Sequence, residues 1–187
     1  LHTDLRASWP LLLIAFAMPV FLGNVFQQFY NLVDTMIVGR FVGVNALAAV
    51  GSTSSIMFCV QGIATGLTTG FGVLISQSFG AKNEKGLRHH VAMSTYLTVM
   101  ISVLITTILL IVNKPLLHTM NTPEEIFGGA STYLRIIFAG FFATMGYNLF
   151  AAILRAIGDS KTPLYFLVLS SVLNIILDLL FVIMLEK

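Results

Sequence analysis

The absence of charge over long stretches is the feature that most constrains how this chain folds. Only 10% of its 187 residues are charged, and 57% are hydrophobic. Charge is missing from five runs, at residues 7–33, 41–81, 91–113, 136–154 and 162–177. A helix that crosses a bilayer needs about 20 mostly apolar residues. The runs predict an all-α integral membrane protein with five transmembrane helices, at about 9–33, 46–79, 91–113, 126–154 and 163–185.

The same composition argues against several other classes of protein. A soluble domain carries about 25% charged residues, and disordered chains are polar and poor in aromatics. The single cysteine, Cys59, excludes a disulfide scaffold. Ten Lys and Arg against eight Asp and Glu leave no basic surplus for binding nucleic acid. We find no catalytic arrangement of Ser, His and Asp and no metal-ligand cluster of His and Cys, so we expect neither an enzyme nor a cofactor.

The distribution of basic residues predicts the orientation in the membrane. With the N-terminus in the cytoplasm, six basic residues fall in inner segments, namely Arg6, Lys82, Lys85, Arg88, Arg155 and Lys161. Three fall in outer segments, namely Arg40, Lys114 and Lys187. This bias follows the positive-inside rule for a multi-pass protein of the plasma (inner) membrane. Splitting the run 41–81 into two spans at residues 51–55 would reverse every later loop, so we favour one long span.

Two acidic residues, Asp34 and Asp178, lie inside predicted spans. A carboxylate in a membrane helix costs about 2.5–3.5 kcal/mol on insertion scales, and such residues commonly face the protein interior and have a function. Both spans run outward, which places the two carboxylates at similar depth. Asn174 precedes Asp178 by one helical turn on the same face. Two carboxylates and an amide oxygen form a candidate site for a hard cation or a proton; the alternative is that each Asp caps a helix end or faces interfacial water.

Other polar residues within the spans have two interpretations. They could line a water-filled substrate cavity or form hydrogen bonds between helices. They are Gln27, Gln28, Asn31, Tyr147 and Asn148. Arg135 interrupts the fourth span and either extends to the outer interface or acts as a counter-charge to the Asp pair.

Proline and glycine predict local features of the first two spans. Pro19 removes a backbone hydrogen bond and permits a kink in the first span. Gly62, Gly66 and Gly70 recur every four residues and predict a flat stripe for close packing against another helix.

Several segments resemble the multidrug and toxic compound extrusion (MATE) family. The stretch 31–40, NLVDTMIVGR, resembles the end of that family's first helix, and 46–51 and 66–83 are similar to the segments that follow it. Residues 155–163, RAIGDSKTP, resemble the loop before the fifth helix, and 174–178, NIILD, resembles the fifth-helix site motif. Each segment alone is weakly specific. Together, in the correct order, they cover nearly the whole chain.

The resemblance implies a twelve-helix exporter built from two six-helix lobes around a central cavity. It would expel small organic cations or drugs across the lipid bilayer in exchange for Na⁺ or H⁺. Asp34, Asn174 and Asp178 match the family's cation-binding positions in the N-terminal lobe. On this interpretation residues 1–187 form a partial N-terminal lobe that lacks the sixth helix, which supplies a further polar ligand, and the second lobe. We therefore expect it to be inactive alone.

Alternatives from other classes remain at this stage. A lipid-linked oligosaccharide flippase of the same superfamily would share the fold class but needs a more cationic cavity, whereas Arg135 is the one basic residue within a span here. An ion channel should show rings of polar groups repeated by an oligomer. A purely structural membrane subunit is the remaining alternative.

Overall fold

A computed structural model describes the backbone of residues 3–185 and the side chains of residues 13–181. The described chain consists of five long helices: α1 (Thr3–Ile37), α2 (Val44–Gly80), α3 (Glu84–Thr119), α4 (Glu124–Ala156) and α5 (Lys161–Leu185). Each contains a stretch that is long and apolar enough to cross a membrane. The prediction of an all-α fold with five transmembrane helices is confirmed.

The helices extend beyond the spans predicted from charge. α3 differs most, because it begins at Glu84 rather than near residue 91 and ends at Thr119 rather than near residue 113. Its 36 residues make a helix about 54 Å long at about 1.5 Å per residue, against about 30 Å of hydrocarbon. Its first turns carry Lys85 and Arg88. Charge therefore marks the edge of the membrane and not the end of the helix.

α2 is one continuous helix through residues 51–55. Its hydroxyl groups bond to carbonyl oxygens of the preceding turn, with Ser52 Oγ 2.8 Å from the Ala49 oxygen and Thr53 Oγ1 2.8 Å from the Val50 oxygen. A hydroxyl that bonds to its own helix needs no water in the membrane. The polar segment therefore does not break α2, in agreement with a single span.

The connections between helices are short and use left-handed backbone conformations. A π-helical turn, Val38–Val42, follows α1 and leads to Gly43 at φ +107°. Gly158 follows the end of α4 at φ +96°, a conformation that glycine adopts without strain.

The segment 122–125, TPEE, predicts an N-cap at Thr122 with Pro123 at the first helical position of α4. This prediction is wrong. Pro123 directly precedes the first helical residue, with ψ 141°, and no side-chain cap bond forms.

Helix contacts divide the chain into two compact units, one of α1 with α5 and one of residues Val38–Ile157. In the second unit α4 packs against both α2 and α3. Its core uses residues spaced three or four apart, so that they share one helix face. On α2 these are Ala49, Ile56, Val60 and Ala64, on α3 Leu117, and on α4 Ala130, Leu134, Phe138, Phe141 and Met145.

A column of small polar residues follows the buried face of α3. Ser94, Thr98, Ser102 and Asn113 are all at most 3% exposed. Short polar side chains let helices approach closely in a membrane and can bond across the interface. Asn113 does so, donating from Nδ2 to the carbonyl oxygen of Ser131 on α4 at 2.9 Å. The α3–α4 interface therefore combines apolar packing with a buried polar contact.

Candidate functional site

The pair of helices α1 and α5 carries the predicted carboxylates. A Cβ added at Gly23 on α1 would lie 3.5 Å from Leu167 and 3.6 Å from Leu164 on α5. Further along both helices, the carboxyl groups of Asp34 and Asp178 interact with each other. A later residue of α1 thus contacts a later residue of α5, so the two helices are parallel. This is the relative direction predicted for the first and fifth spans.

The three predicted ion-site residues belong to this pair of helices. Asp34, Asn174 and Asp178 are each partly buried. On α5, the partly buried positions 171, 174, 175 and 178 recur with helical spacing and form one stripe, which includes both site residues. The stripe opposes α1, since Asp178 on it interacts with Asp34. The structure thus brings Asp34 and Asp178 together and places Asn174 one turn before Asp178.

The site contains more acceptor atoms than donors. Oδ1 of Asn174 and Oδ2 of Asp178 are both buried, and neither accepts a hydrogen bond from a donor in the described part of the chain. Asp34 and Asp178 lie within hydrogen-bonding reach of each other, although ionised carboxylates can only accept. A buried acceptor without a partner costs about 1–3 kcal/mol. The unsatisfied acceptor atoms can therefore bind a proton, or a cation that prefers oxygen ligands.

The donor set favours a small hard ion. Among the described residues no three His, Cys, Asp or Glu side chains cluster as a metal site. Carboxylate and amide oxygens are ligands for hard cations, while thiolates and imidazoles suit softer ones. Two carboxyl groups in contact can equally share one proton.

The predicted cavity residues are distributed over both units. Gln27, Gln28 and Asn31 lie on α1 and are exposed. Tyr147 and Asn148 lie on α4, where Asn148 Nδ2 donates to the carbonyl oxygen of Thr144 at 2.9 Å. This bond stays within α4, so it is not a bond between helices.

The remaining predicted residues have mixed environments. Pro19 lies inside α1 and is buried, and as a proline it leaves the carbonyl of residue 15 without its helical donor. Arg135 is exposed on α4. Gly62, Gly66 and Gly70 are exposed, and a Cβ added at any of them would have no described atom within 4 Å. The predicted glycine stripe therefore packs against no described helix.

Two polar contacts were not expected from the sequence. Asn113 bonds to Ser131, as described above, and Ser78 Oγ on α2 lies 2.8 Å from His90 Nδ1 on α3. The position of His89 and His90 among basic residues of an inner loop predicts that both are solvated, yet His90 is partly buried. The signal available in the sequence was the polar periodicity of α3, where serine, threonine and asparagine recur along one face.

Five apolar membrane-spanning helices make the chain a multi-pass integral membrane protein. The family model MatE matches residues 19–180, which is most of the chain. The chain belongs to the MATE family, and the resemblance identified from its motifs is confirmed.

Relatives in bacteria carry names that refer to drug resistance. The chain is 38% identical over 162 residues to the probable multidrug resistance protein YoeA of Bacillus subtilis, covering 87% of this chain and 35% of that protein. It is 30% identical over 169 residues to the probable multidrug resistance protein NorM of Thermotoga maritima, covering 89% of this chain and 36% of that protein. The chain thus spans about a third of the length of these relatives.

Solved structures share the arrangement of helices. A multidrug resistance MATE family transporter of the MOP superfamily in an outward-facing conformation superposes with a TM-score of 0.87 at 30% identity, covering 93% of this chain and 38% of that one. A MOP superfamily transporter from Pyrococcus furiosus gives the same TM-score and identity, and its binding pocket is described as having reverse polarity that suggests a different function. The fold of this chain is therefore a partial lobe of a MATE transporter.

Proposed function

We propose that this chain is part of a secondary transporter that exports cationic or amphipathic drugs in exchange for Na⁺ or H⁺. Asp34, Asn174 and Asp178 form the coupling site. The observation that carries the proposal is the excess of buried acceptors at these residues, including Oδ1 of Asn174 and Oδ2 of Asp178. Relatives named as multidrug resistance proteins support the drug-export part of the proposal.

Ion binding controls how α1 packs against α5. With the site empty and both carboxylates ionised, Asp34 and Asp178 repel each other, by about 4 kcal/mol for unit charges about 4 Å apart at an effective dielectric constant of about 20. A proton or Na⁺ removes this repulsion and favours the packed pair of helices. Because Pro19 removes one backbone hydrogen bond from α1, that helix can bend there when the site empties.

Exchange requires that drug and ion favour different arrangements of α1. The candidate drug-binding residues are the polar side chains predicted to line a cavity, namely Gln27, Gln28 and Asn31 in the first unit and, separately, Tyr147 and Asn148 in the second. A ligand shifts a conformational equilibrium only as far as its affinities for the two states differ. Ion loading at Asp34 and Asp178 therefore lowers the affinity for a cationic drug, and drug release accompanies ion entry.

Two further parts of the proposal concern the whole transporter. Residues 1–187 supply part of an N-terminal lobe, and a second lobe of the same polypeptide completes the transport path. The transporter lies in the plasma membrane with its N-terminus in the cytoplasm. The short share of the relatives that this chain covers, 35% for YoeA, supports the first of these statements.

Drug efflux by the full-length protein tests the coupling site. We expect Asp34→Asn and Asp178→Asn each to reduce ion-driven efflux at least about tenfold, the factor that corresponds to about 1.4 kcal/mol of lost ion binding. Proteoliposomes with an imposed Na⁺ or H⁺ gradient, measured separately, would identify the ion. Asn174→Ala should reduce efflux less, because it removes a neutral ligand.

Asp159→Asn is the matched control for this experiment. Asp159 is a carboxylate in the loop between α4 and α5, and asparagine retains its ability to accept the same backbone bonds. Its efflux should equal that of the wild type. Unchanged efflux for Asp34→Asn and Asp178→Asn at equal expression would contradict the coupling role.

A further inference from the structure

The turn between α2 and α3 forms a pocket of about 750 Å³ lined by charged, polar and apolar side chains. The charged lining consists of the cations Lys82 and Arg88 and the acid Glu84, and the apolar lining includes Phe79 and Leu87. The pocket lies between the uncharged runs 41–81 and 91–113, beside the charges that mark the edge of the membrane, so we expect it at the surface of the bilayer.

The cations of this turn have no anionic partner in the described part of the chain. Lys82, Lys85 and Arg88 lie within seven residues of one another, and the single acid among them is Glu84. Glu84 is one helical turn before Arg88, a spacing that permits an ion pair, yet the described side chains form none here. The turn therefore carries a net positive charge that an external anion can neutralise.

The backbone of the turn is fixed by several bonds. Asn83 caps α3 by accepting from the Gly86 N–H at 3.0 Å, and its own N–H donates to the Ser78 oxygen at 3.0 Å. Ser78 Oγ is 2.8 Å from His90 Nδ1, which links the end of α2 to the second turn of α3. Lys82 is held in the left-handed region at φ +52°. The backbone positions from which Lys82 and Arg88 extend are thus set by the fold, while their side chains are exposed.

We propose that this pocket binds the phosphate of an anionic phospholipid headgroup. Lys82 and Arg88 bind the phosphate oxygens, since ammonium and guanidinium groups both pair with phosphate. Phe79 is 48% exposed and contacts the glycerol and upper acyl chain, which a free phosphate lacks. An aromatic ring beside unpaired cations at the membrane surface thus favours a lipid over a soluble anion.

Lipid titration of the purified full-length protein in an uncharged detergent tests the proposal. The probes are dioctanoyl phosphatidylglycerol, dioctanoyl phosphatidylcholine and inorganic phosphate, and the readout is the shift of the thermal unfolding midpoint with concentration. We expect a saturable shift with phosphatidylglycerol alone. Lys82→Gln and Arg88→Gln should each weaken that binding about fivefold, the factor expected for one basic residue at a charged membrane surface.

Lys85→Gln is the matched control, because Lys85 has the same charge in the same turn but does not line the pocket. It should leave phosphatidylglycerol binding within about twofold of wild type, since long-range attraction between exposed charges is screened by salt. Equal losses for all three variants would show a diffuse basic surface and overturn the site. A response to inorganic phosphate as strong as to phosphatidylglycerol, or an equal response to phosphatidylcholine, would also overturn it.

Discussion

At the scale of single residues, Asn113 joins α3 to α4. Its side chain is 2% exposed, and Nδ2 lies 2.9 Å from the backbone oxygen and 3.2 Å from Oγ of Ser131. Its Oδ1 is buried without a hydrogen-bond partner among the described residues. Bonds between helices in membranes contribute about 0.6 kcal/mol on average. Asn113 therefore contributes through two modest bonds and through its volume.

Asn113→Ala should lower the free energy of unfolding by about 1–2 kcal/mol, because it removes both bonds and leaves a cavity. Unfolding in mixed micelles would measure the change. Thr107→Ala is the control on the same helix, since Thr107 is exposed and bonds only to the Val103 oxygen one turn before it. Losses of equal size in the two variants would contradict an interhelical role for Asn113.

Single residues also show what the sequence could predict of the site. Asp34 and Asp178 were selected as candidates from the free-energy cost of placing a carboxylate in a membrane span, because residues that carry this cost commonly have a function. The prediction that His90 is solvated is wrong. Its partner Ser78 lies on another helix, so nothing in the sequence near His90 indicates this contact. Contacts between neutral polar groups cannot be predicted from insertion cost in this way, because serine and threonine are tolerated on any face of a membrane helix.

At the scale of elements, the start of α5 depends on one partly exposed carboxylate, that of Asp159. Asp159 Oδ1 accepts bonds from the Lys161 N–H at 3.1 Å and the Thr162 N–H at 3.0 Å. A hydrogen bond from the side chain of Thr162, followed by the bond from its backbone N–H, holds the pKa of Asp159 below its ordinary value of 3.8. Ionised Asp159 thus stabilises the first turn of α5, where backbone N–H groups lack helical partners.

The contribution of Asp159 to the free energy of unfolding should decrease as the pH is lowered. A carboxyl whose pKa is lowered by folding stabilises the protein fully above 3.8, and the effect is lost as the pH falls from 3.8 through the lower folded pKa. Unfolding measured from about pH 6 down to about pH 2 would show this loss in the wild type. The stability difference between wild type and Asp159→Asn should be constant above 3.8 and change below it; a constant difference throughout would contradict the linkage.

The lengths of the helices were predicted less well than their existence. The uncharged runs located all five, but α3 extends seven residues before the predicted start, from 91 back to Glu84. Helix ends outside the hydrocarbon are set by caps such as Asn83 and not by charge. At the start of α4 the sequence predicts a cap at Thr122, but the residue directly before the helix is Pro123, one position later.

At the scale of the whole molecule, the distribution of basic residues predicts an orientation that labelling can test. In a Cys59→Ser background, which has no other cysteine, Lys85→Cys should react with a membrane-impermeant maleimide only when the cytoplasmic face is exposed. Lys114→Cys, at the other end of α3, should react from outside. Both positions are exposed in the structure. The reverse pattern would show that the N-terminus faces outward.

The division into two units was not evident from the sequence. In the structure α1 packs with α5, which is distant from it in the chain, and the other three helices form a second compact unit. The boundaries fall at the π-helical turn beginning at Val38 and at Gly158. The mean hydropathy of the paired spans α1 and α5, 1.3 and 2.2, is as different as that of unpaired spans, so hydropathy does not indicate which helices pair.

The pairing of α1 with α5 has a consequence for biogenesis. Asp34 meets Asp178 only after α2, α3 and α4 have been synthesised, because those helices separate the two residues in the chain. Until then α1 enters the bilayer with a carboxylate that has no partner on α5, at a cost of about 2.5–3.5 kcal/mol. Insertion of the first helix is therefore a step of assembly that the translocon or protonation of Asp34 would assist, until the fifth helix supplies Asp178 as a partner.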